Sequence, residues 1–547
     1  MPKRFASLML SLIIILLSFA ACSKNDGSNM DLIFPISAEP VSLDPQIAKD
    51  KTEKIIVNNC LEGLVRIGAN GEILPGVALN WDISADGLEY TFHLRDNAQW
   101  HLISTLDDVL GKGYEKTFNT SVTAHDFVYA LRRALSPVTK APDAASLFLI
   151  KNAEKVNSGA LASNTLGVAA INDFTLKISI INGSSDFLNL LASPVCMPCN
   201  EMFFTATKGK YGLDDKYLLC NGPFYLSNWS QLSSLFLRRN KDYKGNSEVS
   251  PNSVSLSISP DSGSYLQKLS QGVYIAAPLS AAEAAKVEKG SSITLVKYSN
   301  ITWSLCFNCE DTSLKNVSLR VALCKAIDKA VLSQNLAKKI KNDYFVPACC
   351  VIGQTPFREL AKGGCSLSFD TAGAKRSWGN GLEKTGYTAV PITLICSAEY
   401  EKAMRQMFQQ WQKTLGISLS ITIEVLEDTE IKDRVASGDY QIALAPIQAN
   451  KSSAIDFLQS FTTANVGNVF NYKSNTYDNI LKQLKKGGNS AQTVAGCRKA
   501  EANLMRNGVV YPLFSESSYF ALAKGASGIY STPAGENVCF IQGKKLK

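Results

Sequence analysis

The stretch from Glu399 to Val425 constrains the fold more than any other part of this chain. Apolar residues recur at helical spacing along one side of its first half, at Met404, Met407, Phe408, Trp411 and Leu415. Gly416 then ends the helix. From Ile417 to Val425 apolar residues alternate with Ser, Thr and Glu, as in a half-buried strand. A helix followed directly by a strand predicts an α/β fold in which helices pack on mixed sheets.

Three local patterns predict further helices and strands in the first half of the chain. Asn70-Gly71 lies between two short apolar runs and predicts a hairpin turn, because both residues tolerate positive φ. Residues 90–94 alternate like a strand. Thr123 and Asp126 form a capping-box pattern before an amphipathic helix over residues 127–135. These patterns agree with the α/β assignment.

Residues 1–21 have the pattern of a secretory signal peptide. Lys3 and Arg4 supply the positive start, an apolar run follows, and small residues end the segment. The apolar run is too short to serve comfortably as a permanent membrane span. We therefore predict that residues 1–21 are removed and that the rest of the chain is exported.

The end of this segment also resembles a lipobox. Phe19-Ala20-Ala21-Cys22 departs from that motif only in having Phe19 where Leu is usual. If processed in this way, Cys22 becomes the lipidated N terminus and residues 22–29 form a polar tether. The alternative is ordinary signal-peptidase cleavage beside an unmodified cysteine.

Charge and hydropathy exclude some classes of protein. The formal net charge is +8, and apart from a basic tail at residues 544–547 the Lys and Arg residues are scattered. Such dispersed charge favours solubility and does not predict a nucleic-acid partner. No later apolar run is long enough to span a membrane. A chain of 547 residues that is 46% hydrophobic can fill several cores, and its length predicts about two to four domains.

Fourteen cysteines in an exported chain first indicate disulfides. Several nevertheless fall in apolar patterns, where a free thiol acts as a small hydrophobic group. Cys196-x-x-Cys199 and Cys306-x-x-Cys309 have close spacing, but more than a hundred residues separate the two pairs and no histidine lies nearby. That disfavours a zinc site. We predict core thiols with a few disulfides, favour Cys196–Cys199 as a local pair, and expect neither a metal nor another cofactor.

No motif of a common enzyme class is present in the sequence. It lacks a phosphate-binding loop, a nucleophile elbow and a metalloprotease helix. The three histidines, His93, His101 and His125, lie in ordinary strand, loop and helix-start patterns. We therefore predict a protein that is not an enzyme and has no catalytic residues. An exported hydrolase and a thiol or metal carrier stay as alternatives.

A series of short motifs follows one another along the chain. The first are Glu39-Pro40-Val41-Ser42-Leu43-Asp44-Pro45, Leu61-Glu62-Gly63-Leu64 and Leu74-Pro75-Gly76-Val77-Ala78. Later ones are Thr123-Ala124-His125-Asp126 with Arg132-Arg133, Cys220-Asn221-Gly222-Pro223-Phe224-Tyr225, Ala326-Ile327-Asp328-Lys329, Gly438-Asp439-Tyr440 and Tyr511-Pro512-Leu513-Phe514. In order and spacing, from residue 30 to about 540, they resemble the bacterial extracellular solute-binding proteins of family 5. Within that family the oligopeptide-binding proteins of peptide ABC transporters are the most similar.

This resemblance implies a two-lobed clamp of the larger periplasmic-binding-protein class, with mixed sheets and an extra inserted domain. Lobe one combines a discontinuous core domain with the inserted domain, and lobe two follows in the second half of the chain. The expected bounds are 30–61, 193–299 and 520–547 for the core domain, 62–192 for the inserted domain and 300–519 for lobe two. Residues 102–120 form a polar excursion, which we predict to be a surface loop inserted relative to the family.

The resemblance also implies a function. Such a protein is the extracytoplasmic substrate-binding component of an ABC importer, which closes on an oligopeptide and delivers it to a permease in the inner membrane. The peptide backbone pairs with strand-like segments, and a buried Asp typically binds the ammonium of the ligand. We expect a monomer in the periplasm or at the cell-envelope surface, held to a membrane by the lipid anchor.

Seven residues are expected to line the peptide site by this resemblance: Lys49, Asp143, Trp303, Asp428, Leu444, Ile447 and Asn450. Asn450 stands where the family has its ammonium-binding Asp. An Asn accepts a hydrogen bond but does not neutralise a buried ammonium, which is costly to leave without a counter-charge. Asp143 or Asp428 could supply that charge. Otherwise the ligand has no free amino terminus, as in a blocked or wall-derived peptide or another small solute.

Overall fold

The structure of the protein is a computed structural model, which describes residues 31–545 except 185, 333–335, 337–339, 450, 466 and 536. The predicted signal peptide, the predicted lipidation site Cys22 and the predicted ligand residue Asn450 lie outside the described residues. Within the described part, no helix combines the length and the apolar character needed to cross a bilayer.

The strands are distributed along the whole described chain. They are β1 (Asp31–Ile36), β2 (Val65–Ile67), β3 (Ile73–Pro75), β4 (Ala78–Ile83), β5 (Glu89–Leu94), β6 (Val168–Asn172), β7 (Thr175–Ser179), β8 (Phe224–Ser230), β9 (Ser234–Arg239), β10 (Ser253–Ile258), β11 (Ala276–Leu279) and β12 (Thr294–Phe307). There follow β13 (Ile340–Lys341), β14 (Val351–Ile352), β15 (Thr355–Pro356), β16 (Val390–Cys396), β17 (Leu419–Val425), β18 (Ile442–Gln448), β19 (Val510–Leu522), β20 (Ala526–Ser527), β21 (Tyr530–Ser531), β22 (Val538–Cys539) and β23 (Lys544–Lys545).

Helices alternate with these strands, most densely in the second half. They are α1 (Lys51–Cys60), α2 (Leu106–Leu110), α3 (Ala124–Ala134), α4 (Ala153–Asn157), α5 (Phe187–Leu191), α6 (Glu201–Ala206), α7 (Tyr265–Ser270), α8 (Ala281–Ala284) and α9 (Val317–Lys325). There follow α10 (Lys329–Leu332), α11 (Phe357–Leu360), α12 (Thr371–Thr385), α13 (Glu401–Leu415), α14 (Asp428–Ser437), α15 (Ala454–Gln459), α16 (Asn475–Lys485) and α17 (Ser490–Arg506). The mixed α/β class predicted from the sequence is confirmed.

Local sequence chemistry explains several of these bounds. The capping box at α3 is present, with Thr123 and Asp126 each bonded to the backbone of the other. The Asn70-Gly71 turn joins the antiparallel pair β2–β3, with Gly71 at φ 86°. Helix α13 buries Met404, Met407 and Trp411 as predicted. The strand after α13 was predicted from Ile417, but it begins at Leu419 because Ile417 is fully exposed.

Three larger sheets organise the described residues. Lobe one contains a four-stranded sheet in the order β1-β10-β9-β8, and a second one in the order β4-β5-β7-β6. The third sheet has seven strands, in the order β11-β19-β12-β18-β16-β17, with β13 paired to β19. Parallel pairs such as β1–β10 and β16–β17 occur beside antiparallel ones. The sheets are therefore mixed, as predicted.

The two long strands β12 and β19 connect the lobes. Their antiparallel pairing extends from Thr294 opposite Leu522, beside β11, to Cys306 opposite Val510, deep in lobe two. The register shifts between Tyr298 and Ile301. This irregularity lies at the predicted boundary between the lobes. A bulge at this point increases the local twist and bends the strand. How the chain divides into domains stays a prediction.

Buried ion pairs join distant segments of lobe one. Arg133 donates to both carboxylate oxygens of Asp44, at 2.8 Å to Oδ2. Glu62, only 1% exposed, accepts hydrogen bonds from Arg95 and, at 2.5 Å, from the Tyr243 hydroxyl. These are residues or neighbours of the opening motifs. Because burial of a charge requires a close partner, the pairs fix the motifs as parts of the lobe-one core.

The predicted disulfide between Cys196 and Cys199 is wrong. Both thiols are free and buried, and neither forms a disulfide. Most of the other cysteines that the structure describes are also buried. Burial raises the pKa of each of these two thiols to about 12, so they behave as small apolar groups. Among the described residues no group of three His, Cys, Asp or Glu side chains is placed to hold a metal ion.

The polar excursion at residues 102–120 is more ordered than a surface loop. It contains α2 and a short 3-10 turn at Tyr114–Lys116. Leu106 is fully buried, and Ile103 and Phe118 are 9% exposed. Because these three side chains belong to the lobe-one core, residues 102–120 pack against that core.

Candidate functional site

A cavity of about 160 Å³ lies between residues of 54–223 and 530–541 on one side and residues of 351–485 on the other, which the predicted bounds assign to lobe one and lobe two. Lobe one contributes residues of α1 and β2, of the turn after Asp143, of the segment around α5 and of the C-terminal strands β21 and β22. Lobe two contributes Val351, residues 451–453, part of α15, and the end of α16. Enclosure by both lobes is typical of a site that closes around a ligand.

Asp143 is held between lysines from both lobes. Its Oδ2 lies 3.4 Å from Lys54 Nζ in lobe one, and its Oδ1 lies 3.5 Å from Lys451 Nζ in lobe two. Burial opposes ionisation of the carboxyl, but the charges of Lys451 and Lys54 outweigh burial and lower its pKa. Lys451 also lies 3.8 Å from Asp456. Opposite charges therefore connect the lobes across the cavity.

Asp186 makes a second connection between the lobes. Its Oδ2 accepts a hydrogen bond of 2.7 Å from the Ser453 hydroxyl of lobe two, and its Oδ1 accepts one of 2.7 Å from Asn189. Asn189 in turn donates to the Gly353 carbonyl of lobe two at 2.8 Å. Burial, with added repulsion from Asp456, raises the pKa of the Asp186 carboxyl to about 7.

Lys485 is the last residue of α16 and reaches across to lobe one. Its Nζ lies 3.4 Å from the carbonyl oxygen of Ala145. It has no carboxylate within salt-bridge distance among the described residues, and burial lowers the pKa of its ammonium. The ammonium is thus poorly compensated where it lines the cavity.

The remaining wall of the cavity is largely apolar. Phe187, Leu190 and Met197 come from lobe one, and Ile455 and Leu484 from lobe two. Apolar lining with a few convergent charged groups is the usual chemistry of a site for an organic ligand. The backbone also closes the cleft at one side, where the Gly488 amide donates to the Gly183 carbonyl at 2.5 Å.

The predicted site residues fall into separate groups. Asp143 lines the cavity. Lys49 is exposed and outside the cavity lining, and its backbone amide donates to Glu53 at 2.7 Å. Leu444 and Ile447 are 1% and 9% exposed on β18, where they pack into the cores on opposite faces of the sheet. Their ligand roles stay predictions.

Trp303 and Asp428 both interact with Tyr400. The Trp303 ring stacks on Phe514 with centroids 5.6 Å apart and lies 4.8 Å from the ring of Tyr400. Its Nε1 donates to Glu516. Asp428 is exposed at the start of α14 and acts electrostatically on Tyr400. This aromatic group is separate from the cavity lining.

Sequence reasoning missed Lys54, Asp186, Lys451 and Lys485. Lys451 follows Asn450 directly, so its closeness to the family motif was a usable signal. Ser453 and Asp456 have the spacing of a helix cap, and the Ser453 hydroxyl does accept from the Asp456 amide at 3.3 Å. Nothing local distinguishes Lys54, Asp186 or Lys485, since their partners are distant in sequence.

The family model for the bacterial extracellular solute-binding proteins, family 5 Middle, matches residues 72–468. The chain belongs to this family. The solute-binding protein is 26% identical over 561 aligned residues to the oligopeptide-binding protein OppA of Bacillus subtilis, with 98% of each chain covered. It is also 26% identical to the periplasmic murein peptide-binding protein MppA of Escherichia coli, over 89% of this chain and 88% of that protein.

Solved structures share the fold of the solute-binding protein. Listeria monocytogenes OppA bound to peptide superposes with a TM-score of 0.72 at 24% identity, covering 95% of this chain and 99% of the other. Escherichia coli MppA gives a TM-score of 0.68 at 24% identity, with 94% and 99% covered. These neighbours are two-lobed binding proteins, so the predicted two-lobed clamp is confirmed.

Proposed function

We propose that the solute-binding protein captures oligopeptides between its lobes and delivers them to the permease of an ABC importer. The observation that carries the proposal is the cavity itself, which both lobes line with apolar side chains and paired charges. The curated relatives described above are peptide-binding proteins by name. The family binds solutes and is not an enzyme family, so the protein acts by binding and release.

The test is binding of defined peptides to the purified protein. We expect tri- to hexapeptides to give saturable calorimetric binding, and small-angle scattering to show a more compact particle with peptide than without. Mass spectrometry of the released peptide should return it intact. No binding across the set would contradict peptide capture, whereas shortened products would favour an exported hydrolase.

The charges favour one subclass of peptide ligand, namely peptides without a free amino terminus. Asp143 and Asp456 already have Lys451 as an internal counter-ion, and Asp186 is bonded to Ser453 and Asn189. A ligand ammonium would therefore compete for carboxylates that the protein itself occupies. Blocked or wall-derived peptides do not face this competition.

Attachment to a membrane through Cys22 completes the proposal. Its support is the positive, apolar and small-residue succession that ends at Cys22. A single acyl chain binds a membrane only weakly, so a stable anchor needs a diacyl modification. Cys22→Ser should move the protein from the membrane fraction to the soluble exported fraction. A wild-type protein already soluble after envelope fractionation would indicate ordinary cleavage.

A further inference from the structure

Four cations and four carboxylates line the cavity, but they are not all paired with one another. The cations are Lys54, Arg66, Lys451 and Lys485, and the carboxylates are Glu62, Asp143, Asp186 and Asp456. Arg66 lies 3.5 Å from Glu62. As described, Lys54 and Lys451 bind Asp143, and Lys451 also reaches Asp456. Within the described residues this leaves Lys485 as the lining cation without a carboxylate at salt-bridge distance.

Lys485 is not accounted for as an ordinary surface lysine at a helix end. A cation in the last turn of a helix is stabilised by the helix dipole, and the exposed Lys482 of the same turn satisfies that role. Lys485 instead directs Nζ to a carbonyl of the opposite lobe, at Ala145, from a position in the cavity wall. Lys485 is half-buried and its contact with this carbonyl is open to solvent, so a single neutral acceptor leaves the ammonium able to bind an entering anion.

Two carboxylates of the cavity lining are paired with other lysines and not with Lys485. Asp143, two residues from Ala145, is paired with Lys54 and Lys451. Asp456 is within salt-bridge distance of Lys451. Beside Lys485 the wall is apolar, at Leu484. A ligand carboxylate placed against this wall would meet an ammonium that Asp456 and Glu154 attract only from beyond salt-bridge distance, and it would displace no existing pair.

We propose that Lys485 binds a carboxylate of the captured peptide, so that the protein prefers peptides that present an acidic group to this end of the cavity. The inference rests on the proposed peptide capture. Charge-assisted hydrogen bonds are about twice as strong as neutral ones, so replacing the carboxylate by an amide should weaken binding about tenfold. The carboxylate belongs either to an acidic side chain or to the peptide C terminus.

Calorimetry with four matched peptides tests the inference. The peptides are N-acetylated Ala-Leu-Glu-Leu and N-acetylated Ala-Leu-Gln-Leu, each with a free and with an amidated C terminus, so that no ligand ammonium competes with the lysines of the cavity. The wild type should bind a carboxylate-bearing member about tenfold more tightly than its amide partner, and the pair that shows the difference identifies which carboxylate is bound. Lys485→Gln should remove the difference, and Lys485→Arg should keep it.

Lys482→Gln is the matched control, because Lys482 lies in the same last turn of α16 but is exposed and outside the cavity lining. It should leave the preference of the wild type unchanged. Loss of the Ala145 contact should change the affinity for acid and amide peptides equally, so it cancels when the two are compared on the same variant. Equal binding of all four peptides to the wild type, or a preference that survives Lys485→Gln, overturns the inference alone. Absence of binding by all four overturns the proposed peptide capture as well.

Discussion

Lys451 brings an ammonium of the protein itself into the cavity. It follows Asn450, the position where relatives are expected to carry an ammonium-binding Asp, and it lies within 3.8 Å of both Asp143 and Asp456. By the resemblance, the chain therefore has a cation of its own next in sequence to the position where the family carries the residue that binds the ligand ammonium. Two carboxylates that could receive a peptide amino terminus are already neutralised.

Removal of this cation should change which peptides bind. We expect Lys451→Gln to raise the affinity for peptides with a free amino terminus about three- to tenfold relative to their N-acetylated forms, because Asp143 and Asp456 become available to the ligand ammonium. The measurement is calorimetry on matched free and acetylated tripeptides. Lys473→Gln is the control, since Lys473 forms an exposed pair with Glu310 on lobe two. A wild type that already favours the free amine strongly would contradict this account.

Only part of this site could be predicted from the sequence. Asp143 was identified through the resemblance and does line the cavity. Its partner Lys54 is 89 residues away, and Lys451 comes from the other lobe. Pairing over such separations depends on how the lobes meet, and no local pattern carries that information. For the same reason the cross-lobe bonds of Asp186 could not be predicted.

At the scale of elements, helix α17 stabilises lobe two through one buried carboxylate. Glu501 is fully buried, and its Oε1 accepts hydrogen bonds from the amides of Phe345 and Val346, at 2.8 and 2.9 Å, and from Arg358 at 2.6 Å. The segment at 345–346 belongs to no helix or strand. Its backbone donors are satisfied by α17, which ties it to the lobe-two core.

Neutralising Glu501 should destabilise lobe two. We expect Glu501→Gln to lower the free energy of unfolding by about 3 kcal/mol, because Arg358 is left in a buried site without a full counter-charge. Glu401→Gln removes the exposed helical pair with Arg405 and should cost less than about 0.5 kcal/mol. Urea unfolding measures the change in the free energy of unfolding for both variants. Hydrogen exchange of α17 shows whether the loss falls in lobe two. Equal small losses would mean that Glu501 acts only as an acceptor for the two amides.

Elements were more predictable than the site. The β2–β3 hairpin, the capped start of α3 and the succession of α13 and β17 each depend on neighbours within a few residues. The sequence could also indicate that cysteines such as Cys306 lie in an apolar strand. It could not show that Cys196 and Cys199 stay reduced, since close spacing permits a disulfide and only the packing around each thiol decides. The buried part of residues 102–120 was missed although Ile103, Leu106 and Leu110 recur at helical spacing, which was a usable signal.

The whole molecule is held closed by contacts that cross the cavity. Lys451 meets Asp143, Ser453 meets Asp186, and Lys485 meets the Ala145 carbonyl, all from lobe two to lobe one. Each is polar and of modest strength, so together they allow the lobes to separate when a ligand enters or leaves. Closure should therefore respond to the charge state of the groups involved.

Acid should favour closure through Asp186. Its pKa is raised from its ordinary value of 3.8 to about 7 in the closed structure. At a pH between these two values, closing the lobes therefore takes up a proton. Closure is then favoured at low pH and loses stability as the pH rises toward 7. The affinity for a peptide without titratable side chains should fall several-fold from pH 5 to pH 8. The charges of Asp456 and Lys451 also affect the pKa of Asp186. Asp143 stays ionised over this pH range because its pKa is lowered.

Asp186→Asn isolates this effect. The amide keeps groups able to bond with Ser453 and Asn189 but does not titrate, so the affinity should become nearly independent of pH over this range. Isothermal titration in buffers of different ionisation enthalpy should show proton uptake by the wild type and none by the variant. The same pH slope in both proteins would assign the effect to another group.

The crossing strands β12 and β19 have a consequence for the order in which the molecule is completed. Lobe two is finished when β19 is made, and the end of β19 also supplies the partner of β11. Lobe one still lacks other partners at that point, since Asn59 donates to the Val538 carbonyl, 479 residues later. Contacts closed over such long loops form late. A chain delivered from its N terminus should therefore acquire slow amide exchange first in lobe two, while the earlier-made lobe one waits for its last thirty or so residues.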